Sequence, residues 1–188
     1  MVRRRIIWQL FPSFLAVTLV ALIAATAYFS YTFRKFHLDQ TRAELRILAD
    51  VAIPEIIQVL KASSSFDCVD DLCKRLGRVG EGQVRFTVVA PAGRVLGDSV
   101  EDPAIMENHA DRQEIIDALH DGFGQSVRLS PTLGKNMMYV ALPIQGDDEP
   151  VAVVRAAIAL TAIDRPLREI YVSVVWAGVA IALGAAFL

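Results

Sequence analysis

The segment VRFTVVAPAGRVLGDS, residues 84–99, decides the fold of the middle of this chain. Residues 84–90 are rich in valine, phenylalanine and threonine, which predicts a β-strand. The turn is predicted at 91–94, because proline fixes φ there and glycine supplies a positive φ. Residues 95–99 predict the returning strand, so the whole segment predicts a β-hairpin.

The residues after this hairpin predict a helix and three more strands. Ser99, with Asp102 three positions later, is typical of a helix N-terminus. Gly122 is a natural C-cap for a helical stretch over 103–120. Three further strands are predicted at 124–130, 136–144 and 151–160. Two strands, a helical crossover and three strands predict an α+β domain with a five-stranded, mostly antiparallel sheet.

The residues before the hairpin predict helices. Residues 34–61 lack glycine and repeat apolar residues every seven positions, at Leu38, Leu45, Ala52 and Val59. Such a repeat is typical of a helix that packs against a partner helix, and it predicts a homodimer through this segment. Pro54 is expected to bend or end part of the helix. A short helix between two loops is predicted at 69–76.

Both ends of the chain are apolar. Hydrophobic residues make up 54% of the sequence, which is high for a soluble protein. Residues 6–33 carry no charge, and about 20 such residues suffice to span a membrane. A second uncharged run covers 171–188. The expectation is two membrane helices, at 6–33 and 170–188, in contact with membrane lipid; a cleaved signal peptide ending at Ala25–Ala27 is the alternative for the first run.

The basic residues predict the orientation of the chain. Three arginines within residues 1–5 precede the first run, which favours a cytoplasmic N-terminus. Residues 34–169 are then extracytoplasmic, as a juxtamembrane helix at 34–61 and a domain at 62–169. Residues 34–169 hold 16 lysines and arginines against 21 aspartates and glutamates, a net charge of −5, which argues against nucleic acid as a partner because phosphate binding needs a basic patch.

The two cysteines, Cys68 and Cys73, lie in this outer segment. In an oxidising compartment two nearby thiols can form a disulfide. Residues five apart do not face each other on a helix, so a disulfide implies a turn between them; two free thiols are the alternative. The spacing is not a zinc signature, because two further ligands are missing.

The stretch MENHADRQEII, residues 106–116, concentrates polar side chains. No serine or cysteine near His109 is suited to act as a nucleophile, so no catalytic residue is predicted. His109 and Asp111 diverge on a helix, which argues against a metal site. Two interpretations remain. One is a structural brace, in which Arg112 pairs with Asp98 or Glu114.

The other interpretation is a ligand pocket. Arginines on a sheet suit a carboxylate or phosphate, and a histidine that titrates near pH 6.5 makes a site pH-sensitive. The candidate ligand-binding residues are Arg85, Asn108, His109, Arg112, Arg128, Tyr139 and Arg155. A strand register shifted by one residue would turn the arginines to the opposite face, so the sequence leaves their direction open.

Four segments together resemble a known family. RFTVVAPAGRVLGDS, MENHADRQEI, SPTLGKNMMYVALPI and VVRAAIAL occur in family order over residues 84–160. They resemble the extracytoplasmic PAS-like (PDC or single-Cache) sensor domain of bacterial phosphate-regulon-type sensor histidine kinases. The resemblance implies a PAS-like fold with a pocket between the sheet and the crossover. Gln113 stands where the family often has proline, which removes one signal for a helix start.

The resemblance implies the input portion of a two-component sensor histidine kinase, multi-pass in the bacterial inner membrane. A full-length parent would use ATP in a phosphorelay to a response regulator. These 188 residues contain neither a phosphoacceptor-histidine box nor a nucleotide-binding motif, so they predict no catalytic domain and no cofactor. The alternatives are the input domain of a chemoreceptor or cyclic-nucleotide enzyme, a stand-alone two-span binding or adaptor protein, and a secreted soluble enzyme.

Overall fold

The computed structural model describes residues 2–62, 67–79, 82–130, 134–160, 172–173 and 175–178. The chain divides into two compact units, one of residues 1–38 with 162–188 and one of residues 39–161. The second unit contains the whole sheet. Most of the second predicted membrane span, 170–188, lies outside the described residues.

The first helix, α1, covers Val2–Ala62 and so contains the helix predicted at 34–61. It continues through Pro54, although proline removes one backbone hydrogen bond. Among the described residues, no helix has both the length and the apolarity that crossing a membrane requires. The two predicted membrane spans therefore stay predictions.

Within the second unit, α1 buries one apolar face. Its buried residues are Leu45, Ala49, Ala52 and Ile56, spaced three or four positions apart as one face of a helix requires. Two of them, Leu45 and Ala52, belong to the seven-residue repeat. The assignment of these two residues to a partner helix was therefore wrong, because they pack inside the chain's own core. The homodimer itself stays a prediction.

The five strands form one sheet. They are β1 (Val84–Val89), β2 (Val95–Asp98), β3 (Gly124–Leu129), β4 (Asn136–Gln145) and β5 (Pro150–Ala159). Their order is β2-β1-β5-β4-β3, and each neighbouring pair is antiparallel. This confirms the predicted five-stranded α+β fold. The last strand in sequence, β5, lies at the centre of the sheet, between β1 and β4.

The crossover between β2 and β3 differs from the predicted helix over 103–120. A 3-10 turn at Pro103–Ile105 starts at Asp102, whose carboxylate accepts a hydrogen bond from the Ala104 N–H at 2.9 Å. An irregular segment follows, and helix α3 covers only Gln113–Asp121. The reason is local competition, because the Asn108 side chain accepts from the Ala110 N–H at 2.7 Å and so replaces a helical bond.

Helix α3 starts without proline and ends as predicted. Arg112 precedes it in an extended conformation with no side-chain cap, and Gly122 ends it with φ 75°. Ile115 and Ala118 of α3 pack in a core cluster with Val89, Ala141 and Val153. This packing on the sheet supplies the stability that the missing cap does not.

Helix α2 covers Asp67–Val79 and packs against β1 and β2. It confirms the short helix predicted there and extends it at both ends. Both cysteines lie on it as free thiols, Cys68 exposed and Cys73 buried. The disulfide prediction was wrong, because side chains five residues apart on a helix point about 140° away from each other. Burial raises the pKa of the Cys73 thiol to about 12.

Candidate functional site

The strand register places the sheet arginines on one face. Thr87 on β1 lies directly opposite Arg155 on β5, and opposed residues point to the same side of a sheet. Arg85 is two residues before Thr87 and so shares this face. Ser126 on β3 lies opposite Tyr139 on β4, and Arg128 follows Ser126 by two. The register therefore settles the direction that the sequence left open.

A buried carboxylate at the end of β2 organises the first part of this face. Asp98 is fully buried and accepts two hydrogen bonds of 3.0 Å from Nε of Arg85. It also accepts from the Thr87 hydroxyl at 2.7 Å. The backbone N–H groups of Val100 and Glu101 donate to its Oδ1 at 2.9 and 3.0 Å. Asp98 thus fixes both an arginine and the start of the crossover.

A second buried carboxylate comes from the first turn of α3. Glu114 accepts from the Ser126 hydroxyl at 2.6 Å, from Nη2 of Arg128 at 3.0 Å and from Nη1 of Arg155 at 3.4 Å. Burial raises the pKa of Glu114, but the bonds from Ser126 and Arg128 and the charge of Arg155 outweigh it, so the pKa lies below its usual range. Glu114 is therefore ionised at neutral pH.

The pairing with Asp98 or Glu114 that was expected from Arg112 is made by other arginines. The carboxylates that Arg112 approaches among the described residues are those of Glu107 and Asp111, each at 3.5 Å, and both are largely exposed. Such pairs contribute little to stability, because solvent screens them. The prediction that Arg112 pairs with Asp98 or Glu114 was wrong. Both of these carboxylates are already occupied by arginines that the strands place closer to them.

Tyr139 lies between two of the arginines. The guanidinium carbon of Arg128 is 4.3 Å from the centre of its ring, and that of Arg155 is 5.1 Å away. Both distances are within the range of a cation–π interaction, so the ring fixes the two side chains. Among the described residues, Nη2 of Arg85 and Nε of Arg128 and Arg155 are buried without a hydrogen-bond partner.

The arginines border a cavity of about 360 Å³. This volume is within the range of roughly 300–1,000 Å³ that is common for small-molecule sites. Its lining residues are Arg85, Glu101, Ile105, Met106, Glu107, His109, Arg112, Arg128, Ser130, Tyr139 and Arg155. Six of the seven residues predicted to bind a ligand are thus brought together in one cavity.

Asn108, the seventh predicted residue, does not line the cavity. Its amide donates to the Ala92 carbonyl at 3.0 Å and its oxygen accepts from the Ala110 N–H. Asn108 therefore joins the crossover to the hairpin turn. Gly93 makes this approach possible, because its φ is 86° and a Cβ there would lie 2.1 Å from the Asn108 oxygen.

Sequence reasoning missed several residues of the site. The cavity residues that it missed are Glu101, Ile105, Met106, Glu107 and Ser130, and the supporting residues that it missed are Thr87 and Ser126. It named Asp98 and Glu114 only as partners of Arg112, whereas in the structure they pair with arginines of the strands. Strand alternation is a signal for Thr87 and Ser126, because each is two residues from a candidate arginine. Glu114 is four residues before buried Ala118, which indicates the same helix face.

His109 is a buried histidine in the wall of the cavity, with 7% of its surface exposed. Burial, and after it the charges of Arg155, Arg112 and Arg128, lower its pKa to about 4, while the charge of Glu114 opposes them. The imidazole is thus neutral near pH 7. Among the described residues, no group of three histidine, cysteine, aspartate or glutamate side chains could bind a metal ion.

A second cavity, of about 470 Å³, lies between the end of α1 and the turn from β4 to β5. Ile57 and Leu60 of α1 and Leu96 and Val151 of the strands give it apolar walls, and Lys61 and Asp147 are its charged residues. The arginine-lined cavity is the better candidate site, because convergent polar groups determine ligand specificity.

Comparisons with known proteins establish the fold. No protein-family model matches the chain, and no curated protein sequence matches it. Among solved structures, the sensor domain of the Vibrio cholerae histidine kinase DctB is similar with a TM-score of 0.58 at 16% identity, over 79% of this chain. The chain spans 58% of the length of that structure.

Two further structures share this architecture. The Escherichia coli DcuS sensor domain is similar with a TM-score of 0.55 at 13% identity, over 69% of this chain and 96% of that one. The ligand-binding domain of Mlp24, solved with asparagine, has a TM-score of 0.52 at 8% identity, over 78% of this chain and 59% of that one. The fold is thus the PAS-like fold of these sensor domains.

Proposed function

We propose that residues 39–161 form the ligand-binding input domain of a membrane receptor, and that the ligand is a small organic anion. The observation that carries the proposal is the cavity bordered by Arg85, Arg112, Arg128 and Arg155. Guanidinium groups donate in a fork that matches the two oxygens of a carboxylate.

Charge balance supports an anionic ligand. On the strands, three arginines, Arg85, Arg128 and Arg155, pair with two buried carboxylates, Asp98 and Glu114, so one positive charge of this group is not balanced by its buried partners. Buried donors without partners are costly, and oxygen acceptors of a ligand would satisfy them. A carboxylate or phosphate group supplies such acceptors.

A zwitterion such as an amino acid is the second candidate ligand. Glu101 and Glu107 line the same cavity as the arginines, so the site offers negative as well as positive charge. A ligand with an ammonium group beside its carboxylate would use both. That the similar Mlp24 domain was solved with asparagine supports this candidate.

The receptor class is proposed from the fold and the sequence together. The fold similarity to the DctB sensor domain supports the input portion of a two-component histidine kinase, whose kinase domain would use ATP and act on a response regulator. The input domain of a chemoreceptor or cyclic-nucleotide enzyme fits the same fold. The uncharged runs at 6–33 and 171–188 support two membrane anchors, with residues 39–161 outside the cytoplasm.

The proposed mechanism is a population shift. An anion among the arginines would change how Arg128 and Arg155 share Glu114, and so how α3 packs on the sheet. The change would reach α1 through Phe123, which follows α3 and whose ring centre is 5.0 Å from the guanidinium carbon of Arg46 on α1. A ligand can shift the population only if it binds one arrangement of α3 on the sheet more tightly than the other.

The proposal is tested by thermal unfolding of the whole purified chain with four probes: acetate, malonate, aspartate and putrescine. Malonate or aspartate should stabilise the wild-type chain, by about 2.7 kcal/mol at a concentration near 100 times Kd. Arg112→Gln and Arg128→Gln should lose the stabilisation, because both remove a cavity cation that is only partly buried. Arg78→Gln, an exposed position on α2, is the matched control.

The outcomes separate binding in the cavity from general salt effects. Stabilisation in the control but not in the two cavity variants supports the proposal, and the better of malonate and aspartate identifies the ligand class. The proposal would be contradicted if no anion stabilised the wild-type chain. It would also be contradicted if the anions stabilised all three variants equally, or if the cation putrescine stabilised the chain as much as the anions do.

A further inference from the structure

His109 is a titratable group in the cavity wall that anion binding by the arginines does not require. Its backbone is fixed, because its N–H donates to the Gly93 carbonyl at 2.8 Å and its carbonyl accepts from the Arg112 N–H at 3.1 Å. Its Nδ1 is buried and has no hydrogen-bond partner among the described residues. The ring therefore stays beside the cavity with an unused nitrogen.

Charged groups from every neighbouring element act on this ring. Arginines reach the cavity from β1, β3, β5 and the residue before α3: Arg85, Arg128, Arg155 and Arg112. The acidic groups are Glu114 on α3 and Glu101 and Glu107 in the crossover, and β4 contributes Tyr139. Burial and three of the arginines keep the pKa of His109 at about 4. The arginines repel a protonated His109 ring, and an anion bound among them would offset that repulsion.

We propose that an anion enters this cavity together with one proton, which His109 takes up from solvent. The inference rests on the proposed function, since it concerns the same site. The imidazole gains one N–H bond, and its single positive charge is offset by one negative charge of the ligand. Nδ1, now without a partner, then donates a hydrogen bond to an oxygen of the anion. Ligand sensing is thereby coupled to pH.

The direction of the pH effect follows from linkage. The bound anion raises the pKa of His109 above its value in the empty site, so the liganded protein holds more protons. Affinity therefore increases as pH falls through the pKa of the liganded histidine, and it levels off below about pH 4, where the empty site is also protonated. Between the two pKa values the gain approaches about tenfold per pH unit.

Nuclear magnetic resonance of the three histidine rings in the whole chain tests the first step. Sulfate is the probe, because it stays a dianion throughout the range in which histidine titrates. In the absence of sulfate, the His109 ring should remain neutral from about pH 7.5 to about pH 5.5. Saturating sulfate should raise the titration midpoint of His109.

Calorimetry of sulfate binding tests the second step. Affinity of the wild-type chain and of His120→Gln should rise as pH falls, with uptake of up to one proton measured from the buffer dependence of the heat. His109→Gln should bind sulfate with an affinity that no longer changes with pH. If His109→Gln does not fold, the calorimetric titration of the wild-type chain is a sufficient test of the proposal.

The proton coupling would be overturned if sulfate left the titration midpoint of His109 unchanged. It would also be overturned if sulfate bound without proton uptake. The anion site would survive that result if malonate or aspartate still stabilised the chain through Arg112 and Arg128. Failure of every anion in the thermal experiment would instead remove the proposed function, and the coupling with it. The two failures are thus distinguishable.

Discussion

At the scale of the residue, buried carboxylates decide how each arginine of the site is oriented. Asp98 accepts from Arg85, and Glu114 accepts from Arg128 and Arg155. Taking such charges out of water is costly, so each buried pair is stable only while both partners are present. The two carboxylates therefore position the arginine donors for a ligand. The stability of the sheet also depends on them.

Replacement of Asp98 by asparagine should show this dependence. Asp98→Asn removes the charge opposite Arg85 and replaces one acceptor oxygen by a donor amide, although the side chain keeps its size. We expect a loss of roughly 3–5 kcal/mol in the free energy of unfolding, the usual cost of leaving a buried charge unpaired. Urea denaturation of the whole chain measures it.

Asp148→Asn is the control for this experiment. Asp148 lies exposed in the turn between β4 and β5, so its replacement should change stability by no more than about 0.5 kcal/mol. An Asp98→Asn variant as stable as Asp148→Asn would show that Asp98 does not carry the buried network.

At the scale of the element, the crossover between β2 and β3 forms the outer wall of the site. The Asp98 carboxylate fixes its start through the N–H groups of Val100 and Glu101. Its other end is fixed at the hairpin turn, where His109 bonds to the Gly93 carbonyl. Between these ends lies the 3-10 turn at Pro103–Ile105, and none of its three residues is buried. The wall is thus attached at both ends and lightly packed between them.

Gly93 is the position on which the second attachment depends. Gly93→Ala places a methyl group 2.1 Å from the Asn108 oxygen and 2.4 Å from the Ala110 nitrogen, at a φ of 86° that alanine disfavours. We expect a loss of at least about 2 kcal/mol in the free energy of unfolding, because strain and steric overlap add. Chemical denaturation of the variant gives the value.

The chain offers a matched variant that separates the two effects. Gly122 has a similar φ of 75°, but no atom lies within 4 Å of a Cβ built there. Gly122→Ala should therefore show the backbone strain alone, at about 1 kcal/mol. Equal losses in the two alanine variants would mean that the crossover does not pack closely on the hairpin turn.

At the scale of the whole molecule, the proposed receptor requires residues 39–161 to lie outside the cytoplasm. Cys68 reports on this directly, because it is exposed on α2, whereas Cys73 is buried and its high pKa makes its thiol unreactive. In spheroplasts of a bacterium that expresses the chain, a membrane-impermeant maleimide should label the protein. Gel mobility of the labelled chain is the measurement.

Cys68→Ser should abolish this labelling, which assigns it to the one exposed thiol among the described residues. Labelling that appears only after the spheroplasts are lysed would place the domain in the cytoplasm and contradict the proposed topology. The same preparation also shows whether Cys68 is available as a free thiol.

The sequence by itself determined the elements of this domain. All five strands were predicted within one residue of their ends, and the C-cap Gly122 was predicted correctly. These features depend on residues close together in the chain: β-branched alternation, a proline–glycine turn and a glycine with positive φ. The sequence also selected six residues of the cavity, three of them arginines on predicted strands.

Only the tertiary structure decided which groups meet. The pairing of Arg155 with Glu114 joins residues 41 apart, and α1 buries Leu45 and Ala52 inside its own chain rather than against a partner. The crossover is irregular because Asn108 and Gly93 bind it to the hairpin turn. Local conformational preference is set by neighbours in sequence, whereas a partner for a buried charge is set by distances that exist only after the chain has folded.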